Sequence, residues 1–97
     1  MEIIQRYKLH EFVNKHANVL NPLNKWIVRI SEAEWSNHNE LKSDFPSADY
    51  VGNNRYVFNL KGNNYRIIVV VVFFAGELNI RFAGTHSEYD KIDAKTI

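Results

Sequence analysis

The chain has 97 residues, a formal net charge of +1 and no cysteine. That length supports one domain, 1–97, with a single core and no need for staples. The absence of cysteine excludes a disulfide framework, a thiolate metal site and a cysteine nucleophile. So small a net charge is not that of a domain tracking phosphates over a broad surface. Its distribution is uneven, however: residues 1–50 carry six Lys/Arg against seven Asp/Glu, whereas residues 51–86 carry Arg55, Lys61, Arg66 and Arg81 against Glu77 alone. A local anion site in the second half is the expectation. No basic region followed by a long apolar one opens the chain, so a soluble cytoplasmic protein is expected.

In chain order, Met1–Gln5 reads either as a short edge strand or as the start of the first helix. Leu9, Phe12, Val13, His16, Ala17 and Leu20 then recur at helical spacing, with Lys8, Glu11, Asn14 and Lys15 opposite. Asn21-Pro22 predicts the end of that helix and the start of a second, with Asn as cap and Pro in the first turn. Leu23, Trp26, Ile27 and Ile30 form the inward stripe of the second helix, which is expected to run to about Trp35. Ser36–Asn39 is a polar break, and Asn39–Lys42 suggests a helical turn before Pro46. Ala48–Val51 is a strand end or a loop, and Gly52-Asn53-Asn54 a turn.

The second half predicts an antiparallel meander. The apolar run Tyr65–Phe74 is shorter than the roughly 20 residues that span a membrane as a helix, and its Ile, Val and Phe content favours a buried strand. Two-residue turns at Gly62-Asn63 and Ala75-Gly76 would set Asn59 opposite Arg66, Val70 opposite Arg81, Ile68 opposite Ala83 and Arg66 opposite Thr85. One face then holds Tyr56, Phe58, Leu60, Tyr65, Ile67, Val69, Val71, Phe73, Leu78, Ile80 and Phe82. The other gathers Arg55, Asn59, Arg66, Asn79, Arg81 and Thr85 over a floor of Val57, Ile68, Val70, Val72 and Ala83. A slip of one residue would send a strand's side chains to the wrong face. Segment Ser87–Ile97 is expected to begin as a helical turn and then fray. Together these elements make an α+β domain with two N-terminal helices packed on an antiparallel sheet.

Asn59-x-x-Gly62-Asn63-x-x-Arg66, Ile80-Arg81-Phe82 and Gly84-Thr85-His86-x-Glu88-Tyr89-Asp90 resemble the HigB toxins of bacterial toxin–antitoxin modules. The resemblance extends more loosely to Trp26, Ala33-x-Trp35 and Leu41-x-x-x-Phe45-Pro46. It implies a RelE-like fold and an endoribonuclease that cuts mRNA on the translating ribosome without metal or other cofactor. The ribose 2′-OH would attack the adjacent phosphate, leaving a 2′,3′-cyclic phosphate and a 5′-OH. A HigA-type helix-turn-helix antitoxin is the implied partner, operator DNA being reached only through it, and no membrane is involved. Two other readings stand beside this one: a non-catalytic toxin resembling the ParE gyrase poisons, and a small RNA- or ribosome-binding module.

Such a reaction needs an acid–base group, and His86 is the candidate because histidine changes charge near neutrality; otherwise it serves a strand end. Arg66 and Arg81 fit phosphate clamping through planar guanidinium forks, or else pair with Glu88 or Asp90. Tyr89 is a candidate to stack on a base, to donate its hydroxyl to the leaving oxygen, or to lid the core. Lys61, Asn63, Arg55 and Lys91 are candidate RNA contacts at the rim. Better-characterised RelE-type sites lean on several lysines. Here the meander offers only Lys61, which places the weight on His86. His10, His16 and His38 show no metal-ligand spacing.

Overall fold

The computed structural model describes residues 1–62 and 64–97. Among them the strands are β1 (Glu2–Ile4), β2 (Asp49–Gly52), β3 (Arg55–Leu60), β4 (Tyr65–Val72) and β5 (Glu77–Thr85), ordered β1-β5-β4-β3-β2 in one sheet. The helices are α1 (Tyr7–Lys15), α2 (Leu20–Glu32), α3 (His38–Asp44) and the short α4 (His86–Tyr89). β3 to β5 form the expected antiparallel meander, and β2 extends it antiparallel to β3. The ambiguity at Met1–Gln5 resolves as an edge strand. β1 lies parallel to β5 with Ile3 opposite Leu78, so the sheet is mixed at that margin.

The first helix ends earlier than the apolar spacing suggests. The backbone N–H of His16 bonds to the carbonyls of Phe12 and Val13, closing α1, and a 3₁₀ turn over Ala17–Val19 follows. The His16 ring packs against Phe12 and Tyr65 at 5.7 and 5.2 Å between centroids. α2 begins at Leu20, with Pro22 inside its first turn, where the missing N–H has no helical partner to lose. The tighter turn rotates the stripe, so Val19 is fully buried and Leu20, expected inside, is exposed. α2 stops at Glu32, and Trp35 packs beyond it, donating its indole N–H to Asp44 Oδ2 at 2.7 Å. Asn37 caps α3 by accepting the Glu40 N–H. Ala48–Val51 contributes to β2.

The core lies between these helices and one sheet face. Leu23, Trp26 and Ile30 meet Phe58, Ile67, Val69, Leu78 and Ile80 there, and the Trp26 ring packs edge-on to Phe58 at 5.5 Å.

The first hairpin has the expected register, with Asn59 opposite Arg66 and Val57 opposite Ile68. The second does not. Its connection is a 3₁₀ turn over Phe73–Ala75 that Gly76 closes in the left-handed region, so Val72 pairs with Glu77 and Val70 faces Asn79 instead of Arg81. The register then shifts between Ile68 and Val69, so that Arg81 is an extra residue between Ile80 and Phe82. Ile68 faces Phe82 instead of Ala83, and Arg66 faces Gly84 instead of Thr85. A bulge of this kind turns every later side chain over. Phe82 moves to the face away from the helices, Ala83 packs toward the core, and Thr85 sits opposite Tyr65.

Candidate active site

α4 is fixed at the end of β5 by a capping box. Thr85 Oγ1 accepts the Glu88 N–H at 3.1 Å, and Glu88 Oε1 accepts the Thr85 N–H at 2.8 Å. The Thr85 backbone N–H holds the Glu88 carboxyl below its ordinary pKa; burial opposes this, and the Thr85 hydroxyl, His16 and Lys15 add to it. The His86 N–H bonds to the Asn64 carbonyl at 3.1 Å, tying α4 to the β3–β4 turn.

One turn of α4 brings His86 and Asp90 to the same side. His86 Nδ1 lies 3.0 Å from Asp90 Oδ2, both side chains about half exposed, which leaves Nε2 as the ring's outward nitrogen. The Tyr89 ring stands 6.5 Å from the His86 ring and lies over the Arg66 guanidinium, whose Cζ is 4.7 Å from the ring centre. Stacking of this kind holds a guanidinium in place while its edge N–H groups stay available. Below it, Arg66 Nε and Asn59 Oδ1 are buried without a hydrogen-bond partner among the described residues, directly across the β3–β4 ladder from each other. Among the described residues, neither Arg66 nor Arg81 forms an ion pair with Glu88 or Asp90.

The fold thus gathers three of the four expected catalytic residues, His86, Arg66 and Tyr89, and separates the fourth. Arg81 turns to Arg55 instead. Arg55 Nε and Nη2 donate to the main-chain oxygen of Ile97 at 3.0 and 2.8 Å, and Arg81 Nε donates to the same oxygen at 3.2 Å. Residues beyond α4 therefore do not fray; they are bonded over the sheet. Lys61 is exposed on the β3–β4 turn, the same end of the sheet as Arg66, and Lys91 is exposed just past α4. Asn63 lies outside the described residues. Sequence reasoning missed Asp90 as the partner of His86, although a spacing of four within His-Ser-Glu-Tyr-Asp was a readable signal. Among the described residues, no group of three His, Asp or Glu side chains comes together to hold a metal ion. No helix among them is long and apolar enough to cross a membrane.

Helices packed on one face of an open five-stranded sheet built around a meander fit the RelE-like class of small α+β domain. Residues 19–92 match the family model described as HigB toxin, RelE-like toxic component of a toxin-antitoxin system, and the chain belongs to that family. Membership implies an antitoxin partner. The mRNA interferase HigB of Escherichia coli O6:H1 is 30% identical over 94 residues, covering 95% of this chain and 91% of its own. The mRNA interferase toxin HigB of Escherichia coli K12 is 31% identical over 93 residues, covering 93% of this chain and 88% of its own. The mRNA interferase HigB of Shigella flexneri matches with the same figures.

Proposed function

We propose that this protein is the toxin of a type II toxin–antitoxin module and an endoribonuclease that cuts mRNA on the translating ribosome, in the cytoplasm, as one domain. The observation that carries the reading is the meeting of Arg66, Tyr89 and His86, with Asp90 behind the histidine, in a chain of this family. The relatives' names supply the substrate class.

In this mechanism the 2′-OH attacks the adjacent phosphorus as its proton passes to a base. The P–O5′ bond breaks, the departing oxygen takes a proton, and the products end in a 2′,3′-cyclic phosphate and a 5′-OH. His86 Nε2 moves a proton, Asp90 holding the ring through Nδ1; a group so placed contributes about 10²–10⁴-fold. Arg66 faces the charge of the phosphorane, and Tyr89 either stacks on a base or serves the leaving oxygen through its hydroxyl. Arg81 and Arg55 bind phosphate further along the strand, and Lys61 and Lys91 meet it at the rim. The reaction as written needs no metal or cofactor. The partner is a HigA-type helix-turn-helix antitoxin, which carries the complex to operator DNA.

The test is cleavage of mRNA by the purified protein with and without translating ribosomes, reading the product ends. Ribosome-stimulated cuts with 2′,3′-cyclic phosphate ends are expected. Growth arrest without any cleavage would discard the nuclease reading in favour of a gyrase poison or a binding module.

A further inference from the structure

Residues 91–97 return from α4 across the sheet face opposite the helices. Asp93 shapes the return: its carboxylate accepts the Lys95 N–H at 3.0 Å, and its carbonyl accepts the N–H groups of Thr96 and Ile97. Asn53 Nδ2 holds the Lys95 carbonyl at 2.9 Å, and the Ile97 oxygen receives three N–H groups from Arg55 and Arg81. Val57 and Ile68 are completely buried although they stand outside the helical core. Two guanidiniums converge on this one oxygen and make a fork of donors that suits an oxyanion. A phosphoryl group presents charged oxygens to such a fork, so that donor and acceptor are both ionised. Arg55 lies opposite Val70, four residues along β4 from Arg66, which places this point roughly 13 Å along the strand from the Arg66 end. A few nucleotides span that separation.

We propose that Arg55 and Arg81 form a second phosphate subsite for the RNA chain, and that residues 93–97 fill it in the free protein and leave when RNA binds. The identity of the ligand rests on the nuclease reading above. The competition itself rests on the strap's own bonds. A bound phosphate takes the place of the Ile97 oxygen. The free toxin is thereby held with one of its phosphate contacts closed.

The test uses the whole ¹⁵N-labelled chain, titrated separately with inorganic phosphate and with a 2′-O-methyl oligoribonucleotide that cannot be cut. The Thr96 and Ile97 amide signals are expected to move to random-coil positions with either probe. Asn53 sits at φ +52°, a conformation glycine adopts freely, so Asn53→Gly removes only the Lys95 clasp. That variant should bind both probes about two- to tenfold more tightly, the worth of one net hydrogen bond. Binding of either probe with the 96–97 amides unmoved overturns the proposal and makes the two arginines permanent clasps. An unchanged affinity in Asn53→Gly, or no binding of either probe, overturns it too. Displacement by phosphate but no binding of the oligonucleotide leaves the competition standing and removes the nuclease reading.

Discussion

Replacing Asp90 by asparagine isolates the role of the carboxylate behind His86. Asparagine keeps the size of the side chain and an oxygen that accepts the ring N–H, so what is lost is charge. At the 3.0 Å spacing of the pair, two unit charges in a water-like dielectric attract by about 1.4 kcal/mol, or about tenfold. The water-like limit applies because both side chains are about half exposed. If His86 acts as base, it gains charge in the transition state, and Asp90 stabilises that charge. If it acts as acid, it gives up charge in the transition state, and the same carboxylate does not favour that loss. In the base role Asp90→Asn should slow single-turnover cleavage on ribosomes about tenfold while leaving KM and the melting temperature nearly unchanged, since exposed pairs contribute about 0–1 kcal/mol to stability. His86→Ala should lose about 10²–10⁴-fold. A wild-type rate in Asp90→Asn would show that the carboxylate does not act through the ring. A loss as large as that of His86→Ala would make Asp90 itself a proton carrier. Either result refutes the assigned role.

Arg66→Gln should lower cleavage by about 10²–10³-fold, the usual cost of removing one donor to developing negative charge. Its lost stacking on Tyr89 should move the melting temperature by no more than about 8 °C. Gly84→Ala would set a methyl group 2.8 Å from both Glu88 Oε1 and Phe82 Cζ, so overpacking of about 1–3 kcal/mol is expected in denaturant unfolding, with reduced cleavage. Because folding depresses the Glu88 pKa, its contribution to stability is complete above the unfolded value of about 4.3 and is lost as pH falls below it through the folded value. Glu88→Gln should therefore show a shallower loss of stability than wild type on the acid side of that value. Trp26→Ala, at a buried site against Phe58, should cost about 3–5 kcal/mol, read as a fall in the urea midpoint.

The legible parts of this fold are those whose signal is local. The apolar runs marked β3 to β5, and the Leu23–Trp26–Ile30 stripe marked α2, because burial on one face imposes a period. The helix boundary was misread because Asn21-Pro22 offers a stronger stop than anything near His16. Proline in a first turn gives up nothing, though, so its presence dates the start of a helix only to within a turn. His86 and Asp90 were readable by their spacing, and Arg66 with Tyr89 by the family motif. The strap over Arg55 and Arg81 was not. Its acceptors are the main-chain oxygens of Lys95 and Ile97, which any residue would supply, and side-chain identity carries no trace of them.

The bulge was equally silent, yet it explains why one strand can serve both the core and the site. Leu78 and Ile80 alternate inward as a regular strand requires. Arg81 follows on the open face by the same alternation and meets Arg55 over the Ile97 oxygen, and the extra residue sends Phe82 to that face too, opposite Ile68. It also turns Gly84 to the one position where Glu88 and Phe82 leave no room for a Cβ. A methyl group there would press on the carboxylate that closes the capping box. That box sets the start of α4, and α4 aims His86. The register shift at Arg81 is concealed by the alternation Ile80-Arg81-Phe82, because both registers satisfy the same local pattern.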